Sequence, residues 1–352
     1  MKMSDFAMNS VFAKVRALYG KRLTAKNYND MLNLNSINEI AEYLKSKTSY
    51  SEIFEGLSST EEFQRSRLEN LLFNKMYNEM VSVIRFQKAA GNNLYDYFIM
   101  QYDTEQIIKV LSSLETKSES YFFTFPVFYN ERSKLDLYKM AKAKTDNDIL
   151  ECTENTVYYS AFREALTKYK ISGSLTAVQI VFRDFLDTQF VSLISGKKKN
   201  SLNEKDELVN LYKTINDINL IRMLYRIKRF SIPENVSEYF SYPSVTSFTK
   251  KQIDEMINAK NNEQMIEAIK KTYLSSVVDE VNNDNIYHST ENYLFKILSN
   301  TVKRSNNPSA VMFAYFNLST AEIRNIIHII EGIRYGLSSI EILPMLSGQD
   351  IS

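Results

Sequence analysis

The sequence predicts an all-α chain of three pseudo-equivalent helical units, on three observations. Glycine and proline are scarce, 8 and 5 among 352 residues, too few for tight hairpins or phosphate-cradling loops. Apolar residues recur at three- and four-residue steps over long segments, the period of amphipathic helices. A two-helix segment, TAKNYNDMLNLNSINEIAEYLKS at 24–46, returns 225 positions later without a gap as TKKQIDEMINAKNNEQMIEAIKK at 249–271. Lys26 falls on Lys251, Met31 on Met256, Asn33 on Asn258, Glu42 on Glu267 and Lys45 on Lys270.

A third copy stands at a shift of 109, with Thr24 on Ser133, Met31 on Met140, Glu39 on Asp148 and Ile40 on Ile149. Each copy opens on a hydroxyl residue, Thr24, Ser133 or Thr249, followed three residues later by Asn27, Asp136 or Gln252. That spacing predicts a capped helix start, because the paired side chains satisfy orphan backbone N–H groups. The device recurs twelve residues on as Ser36 with Glu39, Thr145 with Asp148, and Asn261 with Gln264. Long amphipathic segments follow at 61–86, 175–194 and 291–304, with Leu68, Leu71, Leu72, Met76 and Met80 marking one buried stripe. Each unit closes on a related signature: DTEQIIKVL at 103–111, NDINLIRML at 216–224 and EIRNIIHII at 322–330. Aligning the amides puts Gln106, Asn219 and Asn325 in one column and Asp103, Asn216 and Glu322 at the start of each signature. These starts read as helix caps, with Ser319 and Glu322 as an alternative capping box in the third.

The units then run 1–118, 119–231 and 232–352. They can surround an approximate three-fold axis or stack as a solenoid; solenoid periods are usually about 20–50 residues, so a unit near 110 favours three small domains. Joints are expected near 91–93, 123–128, 195–203 and 232–245, where turn-forming residues gather.

Lys plus Arg number 43 against 42 acids, a net charge of +1, so no bulk charge draws the chain to nucleic acid or anionic lipid. The 23 Tyr and 21 Phe sit at core-compatible spacing, which argues against the base-stacking role that YRIKRF at 225–230 alone would suggest. IRNIIHIIEGI is interrupted by Arg324, His328 and Glu331 well short of a membrane span, and MKMSDFAMNS has no secretory-signal core. A single Cys152 leaves no partner for an intramolecular disulfide and fits a reducing compartment. His288, in a polar loop, and His328, three residues before Glu331, complete no metal-ligand set. GxSxG, GxGxxG and the Walker phosphate loop are absent, and SGKKKNS at 195–201 reads as a solvated loop. No catalytic residue, cofactor site or metal site is expected.

FAMNSVFAKVRALYGKRLTAKNYNDMLNLNSINEIAEYLKSKTSYSEIF resembles the start of the central-stalk C subunits of V/A-type ATPases, a family whose eukaryotic members are the d subunits. Asn9, Val15, Arg16, Ala17, Leu18, Leu23, Thr24, Tyr28, Met31, Leu32, Ile40, Leu44, Thr48 and Tyr50 carry the resemblance. The later signatures agree, with Gln106 in place of an asparagine and Asn219 and Asn325 keeping it, and Gly332, Gly336 and Leu337 match the family's C-terminal turn. The resemblance implies a funnel of three helical domains, without catalysis of its own, in one copy per complex at the cytoplasmic face. It further implies a seat on the membrane ring of ion-carrying subunits and a socket for the central shaft. Under that implication Asp103, Gln106, Asn216, Asn219, Glu322 and Asn325 border the central cavity, or else only cap buried helices. Lys14, Arg16, Lys21 and Arg22 form a second partner patch or a solvated helix face. Two competitors stand beside the rotor adaptor: a soluble helical-repeat scaffold of an unrelated assembly, and a helical hydrolase. The transported ion, proton or sodium, and the direction of operation are left open.

Overall fold

The computed structural model describes residues 3–57, 63–87, 94–116, 133–195, 206–229, 239–278 and 286–348, and every regular element among them is helical. In chain order these are α1 (Met3–Tyr19), α2 (Ala25–Met31), α3 (Ile37–Lys47), a 3-10 turn (Ser51–Phe54), α4 (Arg65–Gln87) and α5 (Leu94–Thr116). Next come α6 (Leu137–Met140), α7 (Asp146–Thr153), α8 (Tyr159–Ser172), α9 (Leu175–Ser195), α10 (Glu207–Arg229), α11 (Lys250–Asn258) and α12 (Asn262–Lys270). A second 3-10 turn (Ser275–Val277) precedes α13 (Ile286–Arg304), α14 (Pro308–Arg334), α15 (Ser339–Ile342) and a last 3-10 turn (Leu343–Met345). The joints expected at 91–93 and 123–128 lie outside the described residues, as do most of 195–203 and the first part of 232–245.

Five of the six expected caps form as read. Thr24, Thr145 and Thr249 make reciprocal capping boxes with Asn27, Asp148 and Gln252, and Ser36 and Asn261 accept from the backbone N–H of Glu39 and Gln264. The sixth shifts: Asp136, not Ser133, is the N-cap of α6, accepting from Lys139 N–H. The cause is length. α6 has 4 residues against 7 in α2, so the caps of α2 and α6 lie 112 apart (136 − 24) while those of α3 and α7 lie 109 apart (145 − 36). A single ungapped shift cannot satisfy both.

The closing signatures are not helix starts. Asp103, Asn216 and Glu322 lie in the middle of α5, α10 and α14, where their polarity is consumed by tertiary hydrogen bonds. Ser319 is likewise mid-helix, donating to the Tyr315 carbonyl at 3.0 Å, so the alternative capping box does not form. His288 is in the first turn of α13 rather than in a loop, its Nε2 3.0 Å from the Asn292 amide one turn on.

Two compact units result. Residues 3–57, 63–87 and 287–348 form the first, and 94–116, 133–195, 206–229 and 239–278 with Ile286 form the second. Both cut across the sequence repeat. In the first, α1 packs on α4 and α14, α4 on α14, and α3 on α14. Val11, Val15, Leu68, Leu72, Val83, Val311, Ile326 and Ile329, all at or below 1% exposed, fill that core. In the second, α9 packs on α8 and α5, α7 on α8 and α5, and α10 on α11 and α12. Its centre is aromatic: Phe190 stacks on Tyr212 at 3.6 Å with Tyr97 edge-on to both.

Candidate functional site

Three buried carboxylates, one on the last long helix of each sequence unit, each hold the opening module of another unit. Each module is a capped helix pair followed by a threonine turn and a tyrosine. The turns match: the hydroxyls of Thr48, Thr156 and Thr272 accept from the backbone N–H two residues on, a local bond that fixes the chain's exit from the second helix.

Asp103 on α5, fully buried, accepts from the Ser133 hydroxyl at 2.9 Å and the Tyr158 hydroxyl at 2.6 Å. Asp217 on α10, also fully buried, accepts from the Thr246 hydroxyl, from Ser247 N–H at 3.0 Å and from the Tyr273 hydroxyl at 2.8 Å. Glu322 on α14 accepts from Leu23 N–H at 3.0 Å and the Tyr50 hydroxyl at 2.8 Å. The Arg22 Nε lies 3.1 Å from the Glu322 oxygen that accepts from Leu23, an ion pair whose N–H is not aimed at it, and the guanidinium also donates to the Leu318 carbonyl at 3.2 Å. Every joint thus repeats one chemistry, a buried acid saturated by a tyrosine hydroxyl and by donors just ahead of the first capped helix. Such saturation is what permits a carboxylate to be buried at all.

Burial sets the electrostatics. It pushes the Asp217 carboxyl up to about 6 and raises Glu322 too, against the pull of Arg22 in the latter. Burial and then the facing carboxylate push the hydroxyls of Tyr50 and Tyr158 far above the ordinary tyrosine range, so both stay protonated and donate. These groups fasten; each hydroxyl is committed as a donor to its acid.

The structure separates the residues that the sequence places in one column. Asp103 and Glu322 occupy equivalent joints, but the third acid is Asp217, adjacent to the expected Asn216. Asn216 serves a neighbouring buried acid, donating to Asp187 at 2.7 Å and to the Val245 carbonyl at 3.1 Å, while Asp187 also takes the Tyr212 hydroxyl at 3.0 Å and Val245 N–H at 3.3 Å. Asn325 clasps Ser347 through both its carbonyl, at 3.0 Å, and its N–H, at 2.8 Å. Gln106 is buried, and Asn219 is exposed on the outer side of α10. Asp217 was findable from spacing: Ser133 and Tyr158 follow Asp103 by 30 and 55 residues, and Ser247 and Tyr273 follow Asp217 by 30 and 56. The second patch also divides. Arg22 belongs to the Glu322 joint, and Arg16 donates to the Val302 and Ser305 carbonyls at the end of α13, both at 3.0 Å. Lys14 is half-buried and Lys21 exposed.

The glycines of the C-terminal turn have physical roles. Gly336 takes φ 70° one residue past the cap of α14, with Leu337 N–H bonded to the Gly332 carbonyl at 2.9 Å and Gly336 N–H to that of Ile333 at 3.0 Å. That is a Schellman close. At Gly332 a Cβ would overlap the Ile342 side chain, so glycine is what lets α15 fold back on α14.

Among the described residues every regular element is helical, and the three repeated modules are fastened by buried, hydrogen-bonded acids. The chain belongs to the ATP synthase (C/AC39) subunit family, whose model it matches over residues 11–345, a family of structural rather than catalytic subunits of rotary ATPases. It is similar to the C subunit of the A-type ATP synthase of Methanosphaera stadtmanae, 21% identical over 268 residues that cover 76% of this chain and 66% of that protein, just under two thirds of its length. Among the described residues no helix is long and apolar enough to cross a membrane.

Proposed function

We propose that this chain is the rotor adaptor of a V/A-type ATPase, joining the central shaft to the membrane ring of ion-carrying subunits at the cytoplasmic face, in one copy per complex. The family match along almost the whole chain carries this reading. The mechanics support it: a coupling that passes torque must not bend, and long helices of low glycine and proline content tied at buried acids store little slack. The column residues enter as supports of the shaft socket. Asp103 and Glu322 hold the second and first modules, Asn325 holds Ser347, Gln106 and Asn216 are buried, and the exposed Asn219 could touch a partner directly. Lys14 and Lys21 are the members of the second patch placed to meet one.

Affinity purification of the native chain from membranes tests the reading. It should bring down ATP-hydrolysing subunits together with the membrane ring, while the purified chain alone hydrolyses nothing. Recovery without either set of subunits would favour the unrelated-scaffold alternative.

A further inference from the structure

Residues 345–348 lie along a groove between α13 and α14 and are held there largely by their main chain. Asn325 on α14 donates to the Ser347 carbonyl at 3.0 Å and accepts from its N–H at 2.8 Å, and Asn292 on α13 accepts from Gly348 N–H at 3.0 Å. The His328 Nδ1 lies 3.0 Å from the Met345 carbonyl, which only accepts, so that nitrogen carries the proton. Three side-chain positions are read as well. Leu346 is 1% exposed, the Ser347 hydroxyl donates to Glu291 at 3.2 Å, and at position 348, where φ is 77°, a Cβ would stand within 2.7 Å of the Phe295 ring. Leu343 and Met345, by contrast, are exposed. A side-chain amide that takes both the N–H and the C=O of one residue binds a backbone whatever its sequence, while one apolar socket and one enforced glycine add selectivity. Peptide-binding grooves divide affinity and specificity in this way.

This clasp is no part of the threefold fastening. Of the residues aligned with Asn325, Gln106 is buried with its Nε2 unpartnered among the described residues, and Asn219 is exposed. The layout differs too: the Glu322 joint draws on Arg22, Leu23 and Tyr50, whereas the groove reads four consecutive residues. A contiguous determinant is portable, because one short peptide carries all of it. We propose that the groove between α13 and α14 is a peptide-recognition site for segments of the pattern apolar–Ser–Gly, that residues 346–348 occupy it as a built-in competitor, and that a second polypeptide bearing the same pattern takes their place. Nothing in the rotary-ATPase assignment depends on this site.

Fluorescence anisotropy with a labelled peptide of residues 342–350, ILPMLSGQD, tests the site on the intact chain. Gly348→Val should expel the built-in segment by driving its side chain into Phe295 while leaving the groove whole. That chain should take the peptide at least ten-fold more tightly than the unsubstituted chain, whose own segment competes at high effective concentration. Peptides carrying Leu346→Ala or Gly348→Val should bind the Gly348→Val chain at least ten-fold more weakly, as should the unaltered peptide when the chain also carries Asn325→Ala. Absence of binding to the Gly348→Val chain, equal affinity of the two chains or of the three peptides, or indifference to Asn325→Ala would overturn the site. Loss of the helical circular-dichroism signal in Gly348→Val would overturn it too, since residues 346–348 would then be part of the core instead of an occupant.

Discussion

Asp217 shows what burial does to a single side chain here. Its folded-state value near 6 exceeds the ordinary 3.8, so the folded chain binds that proton more tightly than the unfolded chain does. The associated stability is present in full below about pH 4 and is lost as pH rises through 6, by about 3 kcal/mol for a shift of roughly two units. Denaturant unfolding of the parent chain and of Asp217→Asn across pH 4 to 7 should therefore show the parent losing stability relative to the variant by about that amount; a pH-independent difference would contradict the assignment. At Gly332 the determinant is steric. Gly332→Ala drives a methyl into Ile342 and should cost about 1–3 kcal/mol, measurable as a lower denaturation midpoint at unchanged slope. Ile342→Ala in the same chain should recover part of the loss.

At the scale of elements, the short α6 explains why Ser133 and Asp136 exchange roles. Asp136 caps α6 from an exposed site, so Asp136→Ala should cost about 1 kcal/mol. Ser133→Ala strips a donor from a buried carboxylate and should cost about 1–3 kcal/mol. A double-mutant cycle separates the two roles. Ser133→Ala with Asp103→Asn should be strongly non-additive because both act on one bond, whereas Asp136→Ala with Asp103→Asn should add within experimental error. If Ser133 instead behaved additively, the Asp103 joint would not be the element that docks the second module.

For the whole molecule, the Glu322 joint joins residues 299 apart in sequence, a long-range closure it shares with the packing of α1 and α4 on α14. The proposed adaptor role is tested at this scale. Deletion of the chain should leave an ATPase head that hydrolyses ATP without moving ions, read by ATPase and ion-uptake assays on membrane vesicles; full pumping in its absence would remove the adaptor role.

Composition and period alone determined that the chain is helical, where five of its six caps stand, and that one module is written three times, because capping and amphipathic spacing are local and need only a few neighbouring residues. The family resemblance carried by Val15 to Tyr50 was legible for the same reason, as an ordered string of local signals. Which residue of NDINL is the acid of the third joint was not, because Asn216 and Asp217 are equally polar in sequence and differ only in which side of α10 turns toward Thr246 and Tyr273. Nor could the sequence show that the first module docks on the last helix rather than on its own. That pairing joins residues 299 apart, and only the folded chain, where burial demands a partner for every carboxylate, decides who supplies it.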